Sequence, residues 1–174
     1  MFKRSQAALE FLTTYAWAFL IILIMIGALA YFGILNPSKI LPDRCTFGTE
    51  ISCVDYRITA PGTDTFSLRL KNSIGEPIII PAIVASGITL SSESATAYAC
   101  TLSTIDGSTP DEGADYTWNT ADVVDFAFTD CTPSAAGFVQ GDKGKVLITI
   151  NYHLAKSSAT YKREVSGEVF ATIT

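Results

Sequence analysis

The feature that most constrains this chain is an uncharged apolar stretch near its N-terminus. From Phe11 to Leu35 the sequence runs for 25 positions without a charged residue. As an α-helix rising ~1.5 Å per residue, this stretch would reach roughly 37 Å, which exceeds the ~30 Å of a bilayer hydrocarbon core. A helix that is apolar on every side needs lipid or other helices around its whole circumference. The sequence therefore predicts a chain that is insoluble as a free monomer.

Three hypotheses compete for the apolar stretch. The first is a single transmembrane anchor. The second is a secretory signal peptide cleaved at Ala28-Leu29-Ala30, although the apolar run is about twice the usual ~7 to 15 residues. The third hypothesis depends on the residues at the boundary between the basic leader and the apolar run.

That boundary reads Lys3-Arg4-Ser5-Gln6-Ala7-Ala8-Leu9-Glu10-Phe11. It is a short basic leader, a small residue, and a glutamine followed four places later by a glutamate. The pattern resembles the class III leader of archaeal type IV pilins, and the resemblance covers about the first forty residues. It implies that a prepilin peptidase cuts between Ser5 and Gln6 and leaves the apolar segment on the mature chain. It also implies that Glu10 is the glutamate that pilins keep at the fifth mature position.

Glu10 also has a role that follows from electrostatics alone. A carboxylate near the end of a membrane helix costs less than the ~2.5 to 3.5 kcal/mol at the helix centre, yet an unpaired one remains unfavourable. Cleavage before Gln6 would create a cationic α-amine one helical turn away. The partner of Glu10 could be this amine or that of a neighbouring subunit, which would also set the axial register between subunits. A solvated glutamate at the cytoplasmic interface is the simpler alternative.

The charges around the helix predict its orientation. Lys3 and Arg4 precede the apolar stretch and no comparable cluster follows Pro37, so we expect a cytoplasmic N-terminus and an exported C-terminal domain. Pro37 is expected to end the helix, because proline disfavours a helical conformation in the residue before it. We divide the chain into a leader at 1–5, a helix at 6–36, a connector at 37–44 and an extracellular domain at 45–174.

Four cysteines lie in the part predicted to be exported: Cys45, Cys53, Cys100 and Cys131. They form no CxxC pair and the chain has a single histidine, so two disulfides are favoured over a zinc site. Of the three connectivities we favour Cys45 with Cys53, which closes a short loop, and Cys100 with Cys131, which staples a long irregular segment. Free buried thiols are the alternative.

Beyond Pro37 the side chains alternate with the period of two that is typical of half-buried strands. We predict strands at 54–58, 66–71, 78–84 with a break at Pro81, 98–102, 123–128, 145–152 and 165–173, the last two as a hairpin. Seven or so short strands separated by turns favour an antiparallel immunoglobulin-like β-sandwich. The archaeal pilins that the sequence resembles also carry all-β heads. The predicted fold is thus a long N-terminal α-helix followed by an all-β domain.

The charge of the domain is unevenly distributed. No Lys or Arg occurs between Lys71 and Lys143, whereas ten acidic residues do. Asp111, Glu112 and Asp115 are the best calcium candidates, since hard cations bind several carboxylate oxygens from one loop. Their spacing matches no recognised calcium motif, and a solvated face that keeps exported subunits soluble is the simpler interpretation. We therefore predict no metal or cofactor, and no nucleic acid as main ligand, because phosphate binding needs Lys and Arg.

No sequence feature supports catalysis. His153, the one histidine, falls at the end of a predicted strand, where a satisfied strand residue is expected, and no nucleophile motif surrounds any serine. Tyr116 and Trp118 could contact a glycan or a surface, but they are more typical of a local core.

The leading hypothesis is a non-enzymatic structural subunit of an extracellular adhesion filament. The precursor would rest in the membrane until the peptidase trims residues 1–5, and pilus assembly machinery would then let helices exchange lipid for contact with one another. The small residues Gly27, Ala28, Ala30 and Gly33 would permit close helix approach. The expected partners are copies of the chain, the membrane, the peptidase with the assembly machinery, and surfaces or other cells. The alternatives are a single-pass surface protein that binds a ligand as a monomer and an archaellin-like motility filament subunit.

Overall fold

The computed structural model describes residues 3–32, 41–60, 64–83, 87–92, 98–132 and 138–174, with side chains from residue 10 onward except at Ser92. The chain divides into two compact units, Met1–Leu41 and Pro42–Thr174. The first unit contains one helix and the second contains all ten strands described below. The coarse prediction of an N-terminal helix followed by antiparallel sheets is confirmed.

Helix α1 spans Lys3–Tyr31. It begins three residues before the predicted start at Gln6, because Lys3 and Arg4 are good helix formers. A hydrogen bond from the Phe32 amide to the Ala28 carbonyl, 2.9 Å long, closes its last turn. The predicted end at Pro37 lies outside the described residues.

The strands of the second unit are β1 (Arg44–Phe47), β2 (Ile51–Thr59), β3 (Thr65–Asn72), β4 (Ile78–Ile80), β5 (Ile88–Ser92), β6 (Thr101–Ile105), β7 (Tyr116–Trp118), β8 (Val123–Thr129), β9 (Lys143–Leu154) and β10 (Arg163–Thr172). They form two antiparallel sheets. One has the order β1-β10-β9-β4-β7, with β5 also paired to β9, and the other has the order β2-β3-β8-β6. The predicted hairpin is β9–β10, which is paired from Arg163 opposite Tyr152 to Thr172 opposite Lys143.

The two sheets share one apolar core. On β9 the residues at even positions from 144 to 152 are buried, and on β3 the residues at 66, 68, 70 and 72 are buried. This is the alternation of a strand with one face on the core. Trp118 of the short strand β7 is fully buried, and its ring packs edge-on against Phe126 of β8 at 5.6 Å between centroids. The inner faces therefore hold the largest side chains of the unit.

The second unit begins three residues before Cys45, the predicted start of the domain. Pro42 is its first residue. The carboxylate of Asp43 lies 2.8 Å from Lys143 Nζ, and the guanidinium of Arg44 lies 2.6 Å from a carboxylate oxygen of Glu168. Residues predicted as part of the connector are thus bonded into the sheet.

One strand lies three residues away from its predicted position. The segment 98–102 was expected to be a strand, whereas β6 runs from Thr101 to Ile105. Tyr98 is instead buried against Phe138, with ring centroids 5.2 Å apart. The backbone of Ala99 bonds to Thr132 outside any ladder. Burial by loop packing therefore produced an apolar pattern that resembles a strand.

Short strands account for the remaining differences. β1, β5 and β7 have three to five residues each and were not predicted as separate strands. The predicted strand 78–84 is shorter: β4 ends at Ile80, before Pro81, and Ile83 donates its amide hydrogen to the carbonyl of Ala114 at 3.2 Å. Proline cannot donate to a ladder, which explains the end of β4. Val84 lies outside the described residues.

Candidate functional site

The helix presents an apolar surface on every side. Glu10–Tyr31 has the length and composition to cross a membrane, and none of it is buried within the chain. The exposed fractions of its fourteen large apolar side chains range from 41% at Leu29 to 87% at Tyr31. Because moving one such side chain out of water is worth ~1.5 to 3 kcal/mol, the whole set favours lipid or protein by roughly tens of kcal/mol. This surface is the strongest candidate for a functional interface in the molecule.

Glu10 stands at the N-terminal boundary of this apolar surface. Its backbone carbonyl accepts hydrogen bonds from Thr13 Oγ1 at 3.0 Å and from Thr14 Oγ1 at 2.7 Å. Both hydroxyls are therefore satisfied within the helix and need no water. The Glu10 side chain is exposed, and no ion pair joins it to any side chain that the structure describes. Pairing of this carboxylate with an α-amine stays a prediction.

The bond between Ser5 and Gln6 lies in the first turn of α1, which starts at Lys3. The first four N–H groups of a helix have no acceptor within it, so this turn opens more easily than the rest. The peptidase reaction at this bond stays a prediction.

The small residues of the helix are only partly described. A Cβ atom built on Gly27 would meet no heavy atom within 4 Å, so no described contact within the chain requires a glycine there. Glycine inside a helix costs ~0.5 to 1 kcal/mol relative to alanine. An approaching helix would offset that cost by closer contact. Gly33, the last of the predicted small residues, lies outside the described residues.

The acidic candidates for calcium do not form a site among the described residues. No group of three or more His, Cys, Asp or Glu side chains there could hold a metal ion. Asp115 Oδ1 accepts a hydrogen bond of 3.0 Å from the Ala82 amide, and the Asp111 carbonyl accepts one of 3.2 Å from the Ala114 amide. Glu112 is exposed beside them. One of the three carboxylates is thus used to fix a turn.

The outer face of the four-stranded sheet carries a polar hollow of about 350 Å³. Cross-strand register aligns one row of its lining residues: Arg57, Ser67, Ala127 and Thr104. Short side chains in the middle of this row leave the hollow open. Next to the row, Arg69 donates two hydrogen bonds of 2.5 Å to Asp125, and this bonding holds the pKa of Asp125 below its usual value. Sequence analysis missed the hollow, because the row joins strands that are distant in sequence.

His153, Trp118 and Tyr116, which the sequence raised as possible catalytic or ligand-contacting residues, are placed as structural residues. His153 is the penultimate residue of β9 and is 4% exposed, so it is not placed as a catalytic base open to substrate. Trp118 is fully buried, and its indole N–H donates to the Asp122 carbonyl at 3.1 Å. Tyr116 is half-buried, and burial raises the pKa of its hydroxyl to about 12. Both aromatics belong to the local core, as the sequence suggested.

The two disulfides join the pairs favoured from the sequence. Cys45 in β1 is bonded to Cys53 in β2, which links the two sheets, and Cys100 is bonded to Cys131. Among the described residues there is no free cysteine. Both bonds were therefore predictable from the spacing of the cysteines along the chain.

Comparison with known proteins finds no family model that matches this chain and no curated protein with significant sequence similarity. The function is therefore inferred from the chemistry of the chain itself.

Proposed function

We propose that this chain is a structural subunit of an extracellular adhesion filament of the archaeal type IV pilus kind. One observation carries the proposal: the side chains of Glu10–Tyr31 are all exposed, over a length that suits a bilayer. A surface of this kind must be covered. Lipid would cover it in the precursor, which has its N-terminus in the cytoplasm, and the helices of other copies would cover it in the filament.

Removal of the leader is the proposed switch between these two states. Cutting between Ser5 and Gln6 removes the cations Lys3 and Arg4, which anchor the N-terminus at the cytoplasmic surface. It also creates an α-amine that can pair with the carboxylate of Glu10. An ion pair is stronger in an apolar environment than in water, so this contact would favour orderly packing of one helix on the next.

The second unit would be the filament's outer head. Two antiparallel sheets around one core and two disulfides support an immunoglobulin-like sandwich that is stable in an oxidising extracellular environment. The head would contact surfaces or other cells. In this proposal the chain is not an enzyme and uses no cofactor.

The first test is the mature N-terminus, measured by mass spectrometry on material from the native cell surface. A chain that starts at Gln6 and is found in filaments by electron microscopy would support the proposal. A dispersed monomer that starts at Met1 would refute it, and a soluble chain that starts at Tyr31 would identify a signal peptide instead.

A second test uses Glu10. We expect Glu10→Ala to insert in the membrane and to be cleaved, but to form few filaments, because the carboxylate partner is lost. Glu164→Ala, which removes an exposed carboxylate of β10, is the matched control and should assemble normally. Normal filaments from Glu10→Ala would remove the proposed role of this residue.

The polar hollow on the four-stranded sheet favours one second candidate, a membrane-anchored protein that binds a polar ligand as a monomer. Its volume of about 350 Å³ lies in the range of small-ligand sites. Electron microscopy separates the candidates, since only the first predicts polymers.

A further inference from the structure

The first strand of the domain is poorly placed to resist a pull. β1 is paired with β10 in antiparallel fashion, from Arg44 opposite Phe170 to Phe47 opposite Gly167. The N-terminal end of β1 therefore lies beside the C-terminal end of β10. A pull that separates Pro42 from Thr174 would act at this end of the ladder and would open its pairs one at a time.

The disulfide changes where such a pull acts. Cys45 is the second residue of β1, and its sulfur is bonded to Cys53 in β2. Once the pair at Arg44 has opened, the pull can no longer continue along β1, because the covalent bond transfers it to β2. The residue pairs of β1 beyond Cys45 then carry none of the applied force.

β2 is hydrogen-bonded to the C-terminal end of the chain, and this pairing is parallel, whereas that of β1 with β10 is antiparallel. Ile58 and Ile173 form a parallel bridge. The Thr174 amide and the Thr174 hydroxyl both donate to the Ile58 carbonyl, at 3.0 and 3.1 Å, and the Ala60 amide donates to the Thr174 carbonyl at 3.0 Å. In a parallel pair, a pull on β2 through Cys53 and a pull on Thr174 point in opposite directions along the strands. The bonds of the pair then share the load as a shear.

We infer that the Cys45–Cys53 disulfide and the parallel bridge together form a mechanical clamp, which converts an unzipping pull at the start of the domain into a shearing one. The clamp is a property of the single chain. Its use, to keep the head folded while a filament is under tension, rests on the proposed function.

Contacts of Asp43 and Lys143 stabilise the end of the β1–β10 ladder that the disulfide does not protect. Asp43 bonds to Lys143 at 2.8 Å and accepts a hydrogen bond of 3.2 Å from the Thr172 hydroxyl. The ammonium of Lys143, 14% exposed in its side chain, lies 5.6 Å from the centre of the Phe170 ring. These contacts join the residue that precedes β1 to the end of β10, where the first pair would open.

The test is single-molecule pulling of the full chain in detergent micelles, with optical tweezers attached through peptide tags at the two ends. Wild type is compared with the double variant Cys45→Ser/Cys53→Ser. We expect the variant to open in an additional early step, at a force below that of the main unfolding step, because the pairs of β1 with β10 then break one at a time; wild type should show no such step. The released length should also grow by roughly 20 to 25 Å, since the eight steps between the cysteines, 6.0 Å apart when bonded, become extensible.

Two controls make the result specific. Cys100→Ser/Cys131→Ser removes the other disulfide and should leave the unfolding force within the scatter of wild type. Thr174→Pro removes two of the three bridge bonds and should lower the force of the main unfolding step without adding the early step. If the double variant folds poorly, adding a reductant to a folded wild-type molecule held at constant load should produce the same early extension of roughly 20 to 25 Å.

A chain that opens without the early step when the Cys45–Cys53 bond is removed or reduced would overturn the clamp. So would a Thr174→Pro variant that unfolds at the same force as wild type. Neither readout needs polymers. Failure of the clamp can therefore be distinguished from failure of the filament proposal, which depends on the mature N-terminus and on electron microscopy.

Discussion

Replacing Asn72 with aspartate should make the stability of the domain depend on pH. Asn72 ends β3 and is 1% exposed. Its Nδ2 lies within hydrogen-bond distance of the carbonyls of Glu76 (3.0 Å), Trp118 (3.2 Å) and Asn119 (3.1 Å), and its Oδ1 accepts from the Ile74 amide at 3.0 Å. One side chain thus fixes two turns. Aspartate has the same shape but presents an oxygen to the three carbonyls.

The size of the expected loss of stability follows from the hydrogen-bond donors that the substitution removes. Nδ2 has two hydrogens to share among the three carbonyls. Each buried carbonyl left without a donor costs ~1 to 3 kcal/mol, and the partly buried carbonyls of Glu76 and Asn119 lie at the low end of that range. A buried carboxylate facing carbonyl oxygens adds a further penalty. We expect Asn72→Asp to lose about 4 kcal/mol near neutral pH, a large share of the ~5 to 15 kcal/mol of a typical domain.

At low pH part of this loss should return. The protonated carboxyl group can donate one hydrogen bond, and it carries no charge. The pKa of the introduced carboxyl group would therefore be higher in the folded state than in the unfolded state. The added stability is fully present below the unfolded pKa, ~3.9, and is lost as pH rises through the folded pKa. Asn72→Ala, which cannot titrate, should show a constant loss relative to wild type.

The assay is urea unfolding of the full chain in detergent, at pH values near 4 and near 7, followed by tryptophan fluorescence. Trp118 is fully buried in the domain, and a Trp17→Phe background removes the signal of the helix. Asn119→Asp, at an exposed position, controls for the added charge. Wild-type stability of Asn72→Asp at neutral pH would refute this reasoning. So would an equal gap between the aspartate and alanine variants at both pH values.

Three further predictions concern the same domain. Gly167→Ala should lose ~1 to 3 kcal/mol in urea unfolding, because its new Cβ would lie 2.3 Å from the Phe47 ring, and the loss should be smaller in a Phe47→Ala background. Bonding to Lys143 lowers the pKa of Asp43, so Asp43→Asn should be less stable than wild type at neutral pH, and thermal unfolding should show this difference disappearing as pH falls through the folded pKa of Asp43. Burial raises the pKa of Tyr116 to about 12 from 10.0. Stability should therefore fall as pH rises between these values, and circular dichroism should show a smaller fall in Tyr116→Phe.

The elements that sequence predicted well are those with a strong local pattern. The apolar run gave the helix, although its start lay three residues early, and strands β3, β8, β9 and β10 each have buried residues at every second position. The pairing of β9 with β10 was also predictable, because two long alternating segments lie close together in the chain. The alternation of apolar and polar residues is enough to predict a strand when one face of that strand lies on the core along its whole length.

The remaining features depend on contacts between distant residues. β7 has three residues and is held by pairing with β4, from Ile78 opposite Trp118 to Ile80 opposite Tyr116. A strand this short shows no period. Asn72 looked like an ordinary turn residue, since its three carbonyl partners include two that are more than forty positions away. The hollow on the four-stranded sheet and the parallel bridge at Ile58 were equally hidden, because each joins segments whose proximity only the fold creates.

The evenness of the helix surface has a consequence for any bundle of these chains. A helix with a single apolar stripe packs against its neighbours through that stripe. In contrast, α1 exposes large apolar side chains around its whole circumference from Phe11 to Tyr31. The large apolar side chains in this described part of the helix therefore select no single azimuth. In the proposed filament, the angular spacing of neighbouring chains would then be decided mainly by the bulk and charge of the second unit.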